Sequence, residues 1–85
     1  MPHRVGPLVG GLPHDYGVVD GARGTVESSK SGAPYQYKVS SGDRLNEIAH
    51  RFGFLNGDAI EKLNVKSTQY GTYVYAGQIL YLQKH

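Results

Sequence analysis

The side chains able to do chemistry in this sequence are few and scattered. Asp43 stands just before an apolar helical pattern, where a carboxylate can cap the free amides of a helix. It has no evident acidic partner, and glycoside hydrolysis needs two carboxyl groups. Asp58 and Glu61, three residues apart, resemble a capping box. We therefore expect capping at these positions, and we predict that the chain is not an enzyme.

Metal and cofactor chemistry also lack the residues that they need. The four histidines, His3, His14, His50 and His85, have no metal-ligand spacing, and cysteine is absent. The sequence holds no G-x-S-x-G motif and no phosphate-binding glycine loop between a strand and a helix. We predict no metal site, no cofactor and no catalytic residue.

Charge and hydropathy narrow the class of partner. A formal charge of +2 and a pI near 9.0 fall short of the clustered basic stripe of a nucleic-acid binder. No run approaches the roughly 18 consecutive apolar residues of a membrane span. The N-terminus lacks the continuous apolar core of a secretory signal, because Gly and Pro interrupt it. We expect neither nucleic acid nor a membrane span.

The chain changes character near Pro34. Residues 1–34 hold all four prolines and seven of the twelve glycines, whereas residues 35–85 hold eight of the nine aromatics. The first part is predicted to be an extended Gly/Pro-rich arm or linker, since these residues disfavour helices and central strands. Residues 22–34 have the composition of a solvated tether. Apolar residues between Val5 and Val19 leave two interpretations open, a plain tail or an arm that docks on a partner.

The second part shows clear periodicity. Tyr37 and Val39 alternate with polar residues as in a half-buried strand. Four apolar residues then fall on one face of a predicted helix that ends at Gly53: Leu45, Ile48, Ala49 and Phe52. The other residues of this helix are expected to stay hydrated: Arg44, Glu47, His50 and Arg51.

A second, shorter helix and a last strand complete the pattern. Ile60 and Leu63 are expected to face inward, and Asn64 to end the helix. Leu80 and Leu82 alternate in the final strand and should also face inward. Two short strands are stable only if they pair. The prediction is an α+β fold, with a two-stranded antiparallel sheet carrying two helices on one face.

Read together, these positions resemble a lysin-motif (LysM) module over residues 37–82. The resemblance rests on the following residues: Tyr37, Val39, Gly42, Asp43, Leu45, Ile48, Ala49, Phe52, Gly53, Ile60, Leu63, Asn64, Gly77, Gln78, Leu80 and Leu82. It implies a βααβ fold that binds N-acetylglucosamine polymers, such as peptidoglycan or chitin, without cleaving them. Two departures from the family are Arg44, where Ser or Thr is usual, and Leu82-Gln83 in place of Ile-Pro.

The resemblance also implies where a sugar would lie, in a shallow groove between two loops. The implied ligand-binding residues are Gly42, Asp43, Arg44 and Leu45 in the first loop, and Gln69, Tyr70, Gly71, Tyr73, Val74 and Tyr75 in the second. An acetamide group presents one donor and one acceptor, which suit backbone groups left free in a loop. The loop tyrosines are equally compatible with packing and with ligand contact, whereas Tyr37 and Tyr81 are expected to pack.

Two functions of different class follow from this resemblance. The first is binding of cell-wall glycan, which would place the chain in a cell wall or outside the cell. The second is a structural adaptor, because LysM-like modules also occur in phage tails and related virion assemblies. In that interpretation residues 1–34 would dock on a neighbouring subunit.

Overall fold

The computed structural model describes residues 11–64 and 74–84, which form a three-stranded antiparallel sheet and two helices. The α+β class is thereby confirmed, but the sheet has one strand more than predicted. In chain order the elements are β1 (Thr25–Lys30), β2 (Ala33–Lys38), α1 (Leu45–Arg51), α2 (Gly57–Leu63) and β3 (Ile79–Tyr81). Strand β2 lies between β1 and β3. No helix in these two ranges is long and apolar enough to cross a bilayer.

The extra strand, β1, comes from the segment predicted to be a solvated tether, and that prediction is wrong. Ser31 and Gly32 both have positive φ, at 58° and 76°, and Lys30 pairs with Ala33 across them. This is the geometry of a two-residue hairpin turn, in which both central residues take left-handed conformations. The turn folds β1 back onto β2.

The core lies between the sheet and the helices. Leu80 and Leu82 are fully buried, as predicted, and Tyr37 pairs with Leu80 across β2 and β3. The four apolar residues of the first helical pattern are buried as well. The largest buried side chains are Tyr37, Leu45, Ile48, Phe52, Ile60, Leu80 and Leu82.

Both helices end at the residues that the sequence predicts, but their N-terminal caps differ from the prediction. Gly53, with φ of 93°, follows α1, and Asn64 ends α2, both as predicted. Helix α2, however, is capped by Asn56, whose side chain accepts a hydrogen bond from the Asp58 amide at 2.9 Å. The capping-box interpretation of Asp58 and Glu61 is therefore wrong.

Residues 13–24 form a segment, here called the strap, that packs on α1 and on the loop before it. Its first half donates backbone hydrogen bonds to the end of the helix, from His14 to the Phe52 carbonyl and from Tyr16 to the Arg51 carbonyl. Further along the strap, Ala22 is fully buried in the core. This part of the predicted arm thus packs on its own domain.

Candidate functional site

The two loops predicted to form a groove meet at one end of the sheet, where the first leaves β2 and the second enters β3. One is a turn in which the Asp43 amide donates to the Ser40 carbonyl, with Gly42 at φ of 86°. The other is a turn in which the Gln78 amide donates to the Tyr75 carbonyl, with Gly77 at φ of 89°. Glycine suits both turns, because only it adopts positive φ at little cost.

Val39 holds these two turns side by side. Its amide donates to the Gln78 carbonyl at 2.9 Å, and its carbonyl accepts from the Gly77 amide at 2.8 Å. Since both bonds use main-chain groups next to the turns, the spacing of the turns is fixed by the sheet. A β-carbon built at Gly42 or Gly77 meets no atom of the described residues within 4 Å, and both glycines are exposed.

The predicted residues of the first loop divide into exposed and buried ones. Gly42 and Arg44 are exposed, whereas Leu45 is buried in the core and Asp43 is only 9% exposed. In the second loop, Val74 packs partly against the core and Tyr75 is 61% exposed. Four predicted site residues lie outside the described residues: Gln69, Tyr70, Gly71 and Tyr73.

The carboxylate of Asp43 is committed to a buried network. It accepts hydrogen bonds from the Tyr37 hydroxyl, from the Arg23 amide at 2.8 Å and from the Ser40 amide at 3.0 Å. Burial favours the neutral acid, but these donors outweigh it and hold the pKa of Asp43 below its ordinary value. The prediction that Asp43 caps α1 is wrong, because the N-cap is Arg44 and no side chain caps that helix.

Tyr37 links this network to the strap. Its hydroxyl donates to Asp43 and accepts from the Gly24 amide at 2.8 Å. Burial, reinforced by the hydrogen bond to Asp43, raises the pKa of the Tyr37 hydroxyl far above its ordinary value. The hydroxyl is therefore protonated at neutral pH and donates, and the expectation that Tyr37 packs is confirmed by its full burial.

Arg44 contacts the strap with both backbone and side chain. Its amide donates to the Gly21 carbonyl at 2.7 Å. A β-carbon at Gly21 would lie 2.9 Å from the Arg44 Nη2 atom and 2.7 Å from the Glu47 Cγ atom, so the strap crosses here without room for a side chain. The residue that departs from the LysM pattern is thus a strap contact.

Arg51 binds the strap at several points, and the prediction that the Arg51 side chain stays hydrated is wrong. The residue is 4% exposed, and its Nη1 atom donates to the carbonyls of Ala22 and Gly24. Its Nε and Nη2 atoms bind the two carboxylate oxygens of Asp15 at 2.9 and 3.0 Å. The hydrogen bonds from Arg51, partly opposed by burial, hold the pKa of Asp15 below its ordinary value.

A scan against protein-family models, a search of curated proteins and a search of solved structures each found no match. The sequence and the geometry therefore carry the functional argument alone.

The structure brings together residues that the sequence did not connect. Gly21 and Arg23 of the strap contact the first predicted ligand-binding loop, Gly42–Leu45, here called the sugar loop. Asp15 pairs with Arg51. Their sequence separations exceed any local periodicity, so no pattern signalled them. Within residues 11–64 and 74–84, no group of three or more potential metal ligands is found. His50 instead contacts the Leu55 carbonyl at 3.0 Å.

Proposed function

We propose that the segment from β2 to β3 is a LysM-type βααβ module that binds N-acetylglucosamine polymers, such as peptidoglycan or chitin, without cleaving them. The observation that carries the proposal is the placement of the Ser40–Asp43 and Tyr75–Gln78 turns side by side through Val39. These are the positions where the resemblance puts the two walls of a sugar groove. The proposed sites of action are a cell wall or the cell exterior.

The chemistry of the two turns suits a sugar. Gly42 and Gly77 are exposed and have no side chain, which suits the approach of a flat ring to the backbone. Tyr75 adds an exposed aromatic face with a polar tip, and such a face covers the C–H side of a sugar ring. The Asp43 carboxylate is committed to structural hydrogen bonds, which fits binding without hydrolysis.

The direct test is an NMR titration of the full chain with the N-acetylglucosamine tetramer. We expect shifts at millimolar ligand for the amides of Gly42, Arg44, Val74 and Tyr75, and none for Glu27 on β1. A β-1,4-glucose tetramer is the matched ligand control, because it has the same linkage and lacks the acetamide groups. If no amide of either turn moves with the acetylated tetramer at millimolar concentration, the proposal fails.

A second candidate function, a structural adaptor in a phage tail or related virion, is favoured by one observation. The strap presents apolar side chains outward, with Val18 60%, Tyr16 40% and Val19 38% exposed. In an adaptor this face would contact a neighbouring subunit. The double substitution of Val18 and Val19 by Ser should then prevent incorporation into particles while leaving the fold intact, and normal incorporation would exclude the adaptor.

A further inference from the structure

The strap offers the proposed sugar loop one acceptor and one donor. The Gly21 carbonyl accepts from the Arg44 amide at 2.7 Å, and the Arg23 amide donates to the Asp43 carboxylate at 2.8 Å. An acetamide group on a sugar carries the same pair, one C=O and one N–H. Because the Asp43 carboxylate is also bound by Tyr37 and Ser40, the Arg44 amide is the group that an acetamide C=O would take over from the strap.

We propose that residues 13–24 are an autoinhibitory strap that occupies the Gly42–Leu45 loop in place of a sugar acetamide, so that the loop binds glycan only when the strap lifts. This inference rests on the proposed function, since it takes N-acetylglucosamine as the ligand. It also gives Arg44 a place in this contact, because the Nη2 atom of its long side chain lies beside Gly21, where Ser or Thr would not reach.

The strap is held on both sides of an exposed turn. Asp15 and Arg51 fix the first side. The second side is fixed by Ala22, which is buried in the core, and by the bonds of Arg51 to the Ala22 and Gly24 carbonyls. Between them, Val18, Val19 and Asp20 are exposed and form part of a turn in which Val19 and Ala22 exchange backbone hydrogen bonds. Tilting the exposed side of this turn about the buried Ala22 would break the Gly21–Arg44 hydrogen bond and leave β1 paired with β2.

A closed strap lowers the apparent affinity for glycan by the fraction of molecules in which it is open. If the open form is about a tenth of the population, a variant that is always open binds roughly tenfold more tightly. The size of this gain reports the closed population.

Gly21→Ala tests the strap directly. The added β-carbon would lie 2.7 Å from the Glu47 Cγ atom and sits on a backbone with φ of 86°, so the turn is pushed off the helix. Gly32→Ala is the matched control, with φ of 76° and no described atom within 4 Å. A second opening variant, Asp15→Asn, removes the anchor charge, and Asp20→Asn is its control because the Asp20 side chain is 86% exposed.

Two measurements on the full chain decide the outcome: hydrogen exchange of the Arg44 amide and affinity for the N-acetylglucosamine tetramer. We expect faster Arg44 exchange and severalfold tighter binding in the opening variants only. An Arg44 amide that stays protected in both opening variants overturns the inference, as does faster exchange with unchanged or weaker binding. Absence of binding in every protein, wild type included, overturns the proposed function together with the strap's inhibitory role. Measurable binding that is insensitive to opening overturns the strap alone.

Discussion

The Tyr37 hydroxyl donates a hydrogen bond to the Asp43 carboxylate, and this buried contact joins the middle of the sheet to the loop that precedes α1. The same hydroxyl accepts from the Gly24 amide at the end of the strap. One phenolic oxygen thus connects three parts of the chain, and the position of the proposed sugar loop depends on it.

Tyr37→Phe should destabilise the fold while preserving its packing. The ring keeps its edge-to-face contact with Phe52, but the Gly24 amide loses its acceptor and Asp43 loses a donor. Loss of a partner for buried polar groups costs about 1–3 kcal/mol of unfolding free energy. Urea unfolding followed by circular dichroism measures this loss of unfolding free energy. Tyr35→Phe is the control, and an equal effect of the two substitutions would contradict this account.

Gly24→Ala should be among the most damaging single-methyl additions. A β-carbon there would lie 2.0 Å from the Lys38 carbonyl oxygen and 2.7 Å from the Tyr37 hydroxyl, and a backbone oxygen in a strand cannot move away easily. Overpacking of this kind costs about 1–3 kcal/mol and sometimes more. Gly32→Ala meets only backbone strain, about 1–2 kcal/mol. In thermal unfolding, Gly24→Ala should have a lower Tm than Gly32→Ala. The reverse order would contradict the close approach of Gly24 to the Lys38 carbonyl.

Acid should weaken the attachment of the strap. Arg51 holds the folded-state pKa of Asp15 below its ordinary value of 3.8, so the ionised carboxylate stabilises the fold at higher pH. That stability is lost as pH falls below the ordinary value and through the folded-state pKa. Asp15→Asn should be less stable than wild type at neutral pH, and the two proteins should converge in strong acid.

The control for this pH dependence is Asp20→Asn. The Asp20 side chain is 86% exposed, and its Oδ1 atom lies 3.6 Å from the Arg23 Nη2 atom. An ion pair of this kind at the surface adds little to the free energy of unfolding. Its substitution should leave the acid profile of unfolding unchanged. Asp15→Asn should still lose some stability in acid, because the pKa of Asp43 is lowered as well. A parallel offset of the Asp15→Asn and wild-type curves at every pH would contradict the assignment.

The elements that depend on nearby residues could be predicted from the sequence, whereas the contacts between distant segments could not. Helix α1 follows from apolar residues at helical spacing, a period contained within the helix itself. Arg51 was misassigned because its residue type indicates exposure, whereas the strap that covers it comes from 36 residues earlier in the chain at Asp15. Ser31-Gly32 did carry a hairpin signal, since Ser-Gly dipeptides mark turns, but the surrounding polar residues resemble a linker.

The candidate site shows the same division. Gly42 and Tyr75 are exposed where the resemblance implies a groove, because each lies in a turn whose form is set by a nearby glycine with positive φ. The commitment of Asp43 to Tyr37 and Arg23 depends on two segments meeting in space. A carboxylate before a helix therefore suggested a cap, although stronger donors were available to it from elsewhere in the chain.

Removal of residues 1–34 should leave a much less stable module. The truncation deletes β1 and the strap, exposes the edge of β2, and strips the buried Arg51 guanidinium of Asp15 and of two carbonyl acceptors. Because the strap also covers Arg51, the guanidinium becomes hydrated in the truncated chain, and the cost is that of the lost hydrogen bonds, about 1 kcal/mol each. Urea unfolding of residues 35–85 beside the full chain measures the difference. Equal midpoints and slopes would show that the strap contributes nothing to the fold.

Tyr75 should contribute to glycan affinity through its ring. The side chain is 61% exposed near the exposed Gly77, so Tyr75→Ala removes an aromatic face without disturbing the core. An aromatic contact is worth about 1 kcal/mol, which corresponds to roughly a fivefold rise in Kd for the N-acetylglucosamine tetramer.

Two further substitutions separate the ring of Tyr75 from its hydroxyl and from general surface effects. Tyr75→Phe keeps the aromatic face, so it should retain most of the affinity that Tyr75→Ala loses. Leu55→Ala removes an apolar side chain that is 87% exposed between α1 and α2, and it should leave Kd unchanged. Calorimetric titration of all three variants measures these effects. If Tyr75→Ala binds like wild type, or Leu55→Ala weakens binding equally, the groove beside the Tyr75–Gln78 turn is not where the sugar lies.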